Sequence, residues 1–525
     1  MASNAAGDAP ATPQVPKPTE AYARYVLGIL VLVYMLNFID RQILSILAED
    51  IKRDLGLDDA DIGFLYGTAF GVFYALFGIP LGRLADNWSR VKLMAGGLAL
   101  WSAATAVSGF AKTGGMLTAA RVGVGIGEAT ASPCAYSLIS DYFPKEKRAT
   151  ALAIYSSGLY IGGGLSLFIG GAIVQNWNAA YPGGGPLGLA GWQAAFMAVG
   201  IPGLLVAMWV ATLREPLRGQ SEGIVTPPPA HPFRDFFNEL VTVIPPLTLI
   251  GATRRGPSAL AINLGVAAAI VALVLALIRL TGDTWQWAAV GVGFYAVFSW
   301  AAGLRQRDPP TFQLIWGTPA FLCTVLGYGL IAFLSYSGSF WSAPYALRVL
   351  GADPAIAGLI IGGSGAAGGF LGVVLGGRLA DRLRKTNASG RVIVIGCGLL
   401  LPILPLAVAF TTRDLTLFYL MQLPTQALSS MALGAAAATT QDLVLPRMRG
   451  TATATFFLGT TLIGLALGPY LAGRMSLALG DLGLGVLSLL AAVPISLAAI
   501  LYLYRTLPRA EATVIERARA AGEAI

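Results

Sequence analysis

Windows of about twenty residues with almost no charged side chain recur along the whole 525-residue chain. That is the length of helix needed to cross a hydrocarbon core roughly 30 Å thick. In lipid every backbone amide must find its partner within the segment, so the blocks are read as helices. The period-two alternation of membrane β-barrels is absent. Composition agrees: 55% of residues are hydrophobic and 12% charged, and a soluble protein carries roughly twice that charged share.

Fourteen spans are predicted. Six form a first half, near 22–47, 61–82, 91–111, 116–140, 149–174 and 191–213. Six form a second, near 312–338, 354–378, 392–411, 415–440, 450–474 and 483–505. Between them lie a Pro-rich stretch (Thr226, Pro227, Pro228, Pro229) and two additional spans near 258–280 and 285–304. The chain therefore divides into a tail (1–21) read as disordered, a first half (22–215), a linker with an inserted hairpin (216–310), a second half (311–506) and a charged tail (507–525). The last of these is expected to carry a short surface helix. No cleavable signal peptide is read in residues 1–21, which have no apolar core of their own.

Loop charge sets an orientation. The net charge is +8, but the basic residues sit in short loops: Arg83, Arg90 and Lys92; Lys145, Lys147 and Arg148; Arg378, Arg382, Arg384, Lys385 and Arg391. Such loops stay on the cytoplasmic side, so the charge is a topology signal rather than a nucleic-acid site. The loop at 48–60 holds Glu49, Asp50, Asp54, Asp58 and Asp59 against Lys52 and Arg53, and the loop at 175–190 holds no charge. Both are placed outside. The expectation is a multi-pass plasma-membrane protein, of bacterial inner-membrane type, with both termini in the cytoplasm.

The halves repeat each other. Gly82-Arg83-Leu84-Ala85-Asp86 recurs as Gly377-Arg378-Leu379-Ala380-Asp381, each after the second span of its half. Asp141 precedes Arg148 as Asp442 precedes Arg449, each Arg leading into a small-residue run. Paired repeats of this kind build many secondary transporters, with the substrate site between them near the bilayer midplane.

The doubled Gly-Arg-Leu-Ala-Asp loop resembles the signature loop of the major facilitator superfamily. The resemblance implies an all-α membrane protein of that fold, two six-helix halves plus the inserted hairpin. It also implies a cytoplasmic latch in which Asp86, Arg90 and Asp381, with Asp141, Arg148 and Arg449, join the halves. A carboxylate meeting a helix N-terminus gains about 0.3–1 kcal/mol. Asn37-Phe38-Ile39-Asp40-Arg41, the run Arg121 to Glu128, and Ser140-Asp141-Tyr142-Phe143-Pro144 are similar to the Spinster-like branch. That narrower likeness covers the first half, and the second is generic for the superfamily. Animal members of that branch are similar to exporters of sphingosine 1-phosphate and lysophospholipids, which implies an amphiphilic anion as substrate. Smaller organic anions or drugs are the alternative, and a polytopic lipid-modifying enzyme a remote one.

Asp40, Arg41, Arg121 and Glu128 lie inside apolar spans, where each ionisable group costs roughly 2.5–3.5 kcal/mol and needs a partner or a polar cavity. Arg121 and Glu128, seven apart, share a helix face; Asn37 and Arg41 share another. Two readings stand. Asp40 and Glu128 exchange a cation partner for a proton during transport, or the charges are fixed pairs locking the first span to the fourth. Arg41 and Arg121 are the candidates for gripping an anionic headgroup, since a guanidinium fork binds phosphate or carboxylate bidentately. Under the repeat, Arg121 corresponds to Gln422. The second half is thus expected to supply an apolar wall, from Phe333, Tyr336, Phe340, Trp341 and Tyr345, unless these belong to an interfacial aromatic belt.

Gly162, Gly163, Gly164 and the pair Gly468-Pro469 are read as packing and bending points. His231, the one histidine, sits in the linker, and Cys134, Cys323 and Cys397 show no metal-ligand spacing. Absent a phosphate loop of the GxxxxGK[ST] type, no ATP drive is expected. The chain is read as a monomeric secondary transporter rather than an enzyme, with no cofactor. Its partners are a lipid-like or small organic anion, protons and membrane lipids, and not nucleic acid.

Overall fold

A computed structural model describes residues 19–219, 221 and 231–524; the Pro-rich stretch and residues 1–18 lie outside that range. Among the described residues the chain is helical, without strands. The first half comprises α1 (Glu20–Leu55), α2 (Asp59–Asn87), α3 (Arg90–Ser108), α4 (Gly114–Glu128 and Ala131–Tyr142), α5 (Lys145–Ala180) and α6 (Gly191–Ala211). Two short helices follow, α7 (Pro232–Val243) and α8 (Leu247–Arg254), meeting at 96°. They were not foreseen from sequence. The inserted hairpin is α9 (Pro257–Thr281) and α10 (Thr284–Arg307). The second half comprises α11 (Pro319–Arg348), α12 (Pro354–Arg384), α13 (Gly390–Thr411), α14 (Leu415–Asp442), α15 (Pro446–Leu479) and α16 (Leu482–Ala512).

Twelve of these helices are individually long and apolar enough to cross a membrane. The other two expected spans are α4, broken at Ala129–Thr130, and α14, diluted by Gln, Thr and Ser along its length. Boundaries are set by caps. Thr19, Asp58, Ser89, Thr113, Asp353, Asp414 and Asp481 accept the first free amides of their helices, which would otherwise lack partners. Gly56 ends α1 in the left-handed region, at φ 65°. Several read loops are therefore shorter than expected: α1 runs on through Leu55 and α12 through Arg384. At the start, Glu20 and Ala21, assigned to the tail, are already helical.

The hairpin is asymmetric. Of α9 only Asn263 is buried, whereas α10 lies in the seam between α2 and α15. There Thr68 Oγ1 is 2.6 Å from Gln286 Oε1 and 2.5 Å from the Ala466 carbonyl. The Tyr470 hydroxyl donates to Asp283 at 2.6 Å. The insertion thus touches both halves. The charged tail carries the expected short helix, Val514–Ala520. Arg447 ties that tail down by bonding Asp308 (2.7 Å) and Glu523. This guanidinium holds the Asp308 carboxyl down at about 2. A depressed carboxyl loses its contribution only as pH falls through that value, so the tie is intact at neutral pH.

Candidate functional site: a central cavity and a buried charge cluster

The halves meet most closely toward the end that carries the acidic loop. Arg348, ending α11, reaches Glu49 at 2.6 Å and Asp59 at 2.7 Å across the interface. Ser476 donates to Asp59 at 2.8 Å, and Lys52 also pairs with it. Gln175 bonds Asp353, and Tyr66 stacks on Phe340 with centroids 4.1 Å apart. Glycine lets backbones touch there. A Cβ on Gly358 would lie 2.2 Å from the Leu167 carbonyl, one on Gly362 2.3 Å from that of Gly164, and one on Gly67 2.3 Å from that of Leu465. The last contact joins two π-helical stretches, Phe64–Thr68 in α2 and Thr460–Leu465 in α15, a distortion frequent at functional sites.

At the basic-loop end, among the described residues, the expected latch residues bond within their own half or to the adjoining linker. Asp86 is exposed, with Arg218, Arg83 and Arg90 as its charged neighbours. Arg90 bonds Asp141 and, at 2.8 Å, Glu215. Arg148 bonds the Ser140 carbonyl at 3.0 Å and Ser221 at 3.2 Å. Asp381 is 3.9 Å from Arg391, which also bonds Asp442, and Arg449 is exposed. Among the described residues the expected bridge from Asp86 or Asp381 to the opposite half is not formed in this conformation.

Between the halves lies a cavity of about 1570 Å³, its open mouth included. One wall is α1 and α5, through Phe38, Gln42, Leu159 and Tyr160. The opposite wall is apolar in part, through Ile331, Leu334, Ile361, Leu399, Ile403 and Leu406, but it also has a polar face that was not expected. It carries Ser335, Ser339 and Ser342 from α11 and Gln422, Thr425, Gln426, Ser429 and Ser430 from α14. Ser342 donates to Gln422 Oε1 at 3.0 Å. Tyr336 lines the cavity. Phe333 does not; it is buried, its carbonyl 2.6 Å from where a Cβ on Gly468 would stand. Phe340, Trp341 and Tyr345 are likewise packed inside the protein, in neither a cavity wall nor a belt. No charged side chain lines the cavity.

The intramembrane charges form a separate cluster against that first wall. Arg41 donates to Glu128 Oε2 through Nη2 at 2.8 Å and through Nε at 3.3 Å. It reaches Asn37 at 3.5 Å, and its guanidinium stacks on Phe38, Phe70 and Tyr74. Its side chain is 10% exposed and that of Glu128 is fully buried. Asp40 points elsewhere, as neighbouring helix positions must. Arg121 donates to the Asp40 carbonyl at 3.1 Å rather than to its carboxylate. Asp40 Oδ1, Glu128 Oε1, and Arg121 Nε and Nη2 have no hydrogen-bond partner among the described residues. The glycines around Glu128 seal the cluster: a Cβ on Gly127 would stand 2.7 Å from the Gly97 carbonyl, and one on Gly125 2.5 Å from that of Phe70. Among the described residues no group of three His, Cys, Asp or Glu could hold a metal.

The ion-pair seal at the acidic-loop end and Gln426 of the polar wall escaped the sequence reading. Arg348 carried a usable signal, a lone cation at the end of a long apolar stretch. Arg348→Ala should strip Asp59 and Glu49 of a shared counter-ion. The expected result is a several-fold rise in labelling of a cysteine placed at Ser339 by a reagent applied from the acidic-loop side. Unchanged labelling would show that the glycine seams alone hold this end shut.

Two repeated six-helix halves around a central cavity, sealed at one end by cross-half contacts, define a membrane transporter working by alternating access. The model of the Major Facilitator Superfamily matches residues 30–351, and the chain belongs to that family. It is similar to an MFS-type efflux pump of Mycolicibacterium smegmatis, 28% identical over 96% of each chain. It also resembles Protein spinster homolog 1 of Bos taurus, 26% identical over 87% of this chain and 74% of the relative. Among solved structures it resembles a bacterial homolog of the human lysosomal transporter Spinster in an inward-facing, occupied conformation. That match has a TM-score of 0.65 and 27% identity, covering 96% of this chain and 97% of the other.

Proposed function

We propose that this Spinster-like transporter carries an amphiphilic anion of lysolipid or sphingolipid type, with proton exchange at the cluster of Asp40, Arg41, Arg121 and Glu128. The observation that carries the reading is the Arg41–Glu128 pair beside the cavity. Arg41 stacks on Phe38, itself a cavity residue, and its present partner is a fully buried carboxylate. A proton taken by Glu128 would remove the charge that holds the guanidinium, leaving it for an anionic group in the cavity. The leucine and aromatic side chains of α1, α5 and α13 suit an apolar body, while the α11 and α14 wall suits a polar head. With the basic loops in the cytoplasm, the conformation is inward-open. The Spinster homologs support the lipid-like substrate; the efflux pump and the uncharged wall favour the second reading, small organic anions or drugs.

The test is flux of a labelled lysophospholipid in proteoliposomes, with and without a pH gradient, wild type beside Asp40→Asn. Flux that follows the gradient in the wild type and ignores it in the mutant supports the proposal. No lysolipid flux from folded protein, with flux of small organic anions instead, selects the second reading.

A further inference from the structure

At the base of the inserted hairpin two arginines flank a buried glycine, Gly303. Arg255 lies in the turn between α8 and α9, followed by Gly256 at φ 111°, a conformation that side chains rarely adopt. Arg307 ends α10. Between them Gly303 presents no side chain: a Cβ there would lie 3.5 Å from Arg255 Nη1 and 3.8 Å from Arg307 Nη2. Both guanidinium groups therefore approach one point, where a methyl would meet them at ordinary contact distance.

The charges do not balance. Arg307 is satisfied by Glu239, at 2.9 and 3.2 Å. Arg255 donates through Nε to the Gly251 carbonyl at 3.2 Å, and its charged neighbour is Arg307, not an acid. Burial and that second cation hold Arg255 below its ordinary range. Among the described residues no acid bonds Arg255, so its positive charge is left over beside Arg307. Directly beside it begins α9, whose exposed Ile262, Leu264, Leu273 and Leu275 face outward along the bilayer.

We propose that the base of this hairpin binds the phosphate of an anionic phospholipid between Arg255 and Arg307 beside Gly303, the acyl chains lying along α9. Basic pockets between helices at the cytoplasmic face suit such headgroups, and the guanidinium fork matches phosphate oxygens. This lipid is a fixed partner, distinct from cargo in the central cavity. It explains why a helix with so little protein contact as α9 keeps its place.

The experiment follows the melting temperature of the full-length protein in detergent, with phosphatidylglycerol, phosphatidylcholine or inorganic phosphate added, and counts bound lipid by native mass spectrometry. Phosphatidylglycerol should raise the melting temperature of the wild type more than phosphatidylcholine does. Arg255→Gln should weaken its binding about fivefold, the worth of one basic group at a membrane surface. Gly303→Asp, which sets a carboxylate between the two arginines, should remove the preference and decides the matter if the first variant fails to fold. Equal shifts with both lipids, or a preference that persists in the variants, would overturn the proposal. A shift of the same size with inorganic phosphate would overturn the lipid assignment.

Discussion

Glu128→Gln is expected to uncouple substrate flux from the pH gradient while leaving a folded protein that still binds substrate. Glutamine keeps an oxygen where Arg41 now donates at 2.8 Å, but it carries neither charge nor titratable proton. If the pair is a relay, the variant is frozen in the proton-loaded arrangement: Arg41 is released toward the cavity, and gradient-driven flux falls by more than tenfold. If the pair is a lock between α1 and α4, the variant loses stability instead, and its remaining flux still follows the gradient. Removing one partner of a buried ion pair costs roughly 3–5 kcal/mol when the other charge is stranded. Arg41→Ala is therefore the harsher change, because it strands Glu128 in a site with no other cation bonded to it. Flux with and without a pH gradient, beside thermal unfolding of both variants, separates the two roles.

Gly362→Ala is expected to disturb the molecule far more than Gly363→Ala one position along. A methyl on Gly362 would stand 2.3 Å from the Gly164 carbonyl, whereas one on Gly363 meets nothing within 4 Å. The atom in the way is backbone, so α5 and α12 must part, and overpacking of this kind typically costs about 1–3 kcal/mol. The seam lies between the halves, beside Gly358 and Gly171, whose added methyls would press on Leu167 and Pro354 carbonyls. Parting it weakens the closed acidic-loop end specifically. The expected outcome is a lower melting temperature and a population shifted toward opening at that end, read by cysteine labelling from the acidic-loop side. Equal behaviour of the two alanine variants would remove the seam from the account.

The charge cluster was legible because ionisable residues in apolar spans are conspicuous. Helical spacing correctly sent Asp40 and Arg41 in different directions and brought Asn37 to Arg41. Pairing was not legible: nothing in the spacing told Arg41 to choose Glu128, or Arg121 to choose a carbonyl over the Asp40 carboxylate. The polar share of the second-half wall was missed for a related reason. Gln422, Thr425, Gln426 and Ser429 recur every three or four residues, a pattern that defines a face without saying what it faces. The aromatics of α11 dominated the reading, yet Phe333, Phe340, Trp341 and Tyr345 turned out to be packing residues.

By itself the sequence determined the membrane architecture, since lipid forces apolar stretches into helices, and the doubled pentapeptide marked the two halves. Tertiary structure alone decided which charges pair, which end is sealed and what lines the cavity. These depend on contacts between residues hundreds of positions apart, such as Arg348 with Glu49 and Asp59, and on which face of each helix packs inward. Tertiary structure also showed Asp86 and Asp381 beside arginines of their own side of the molecule rather than bridging the halves.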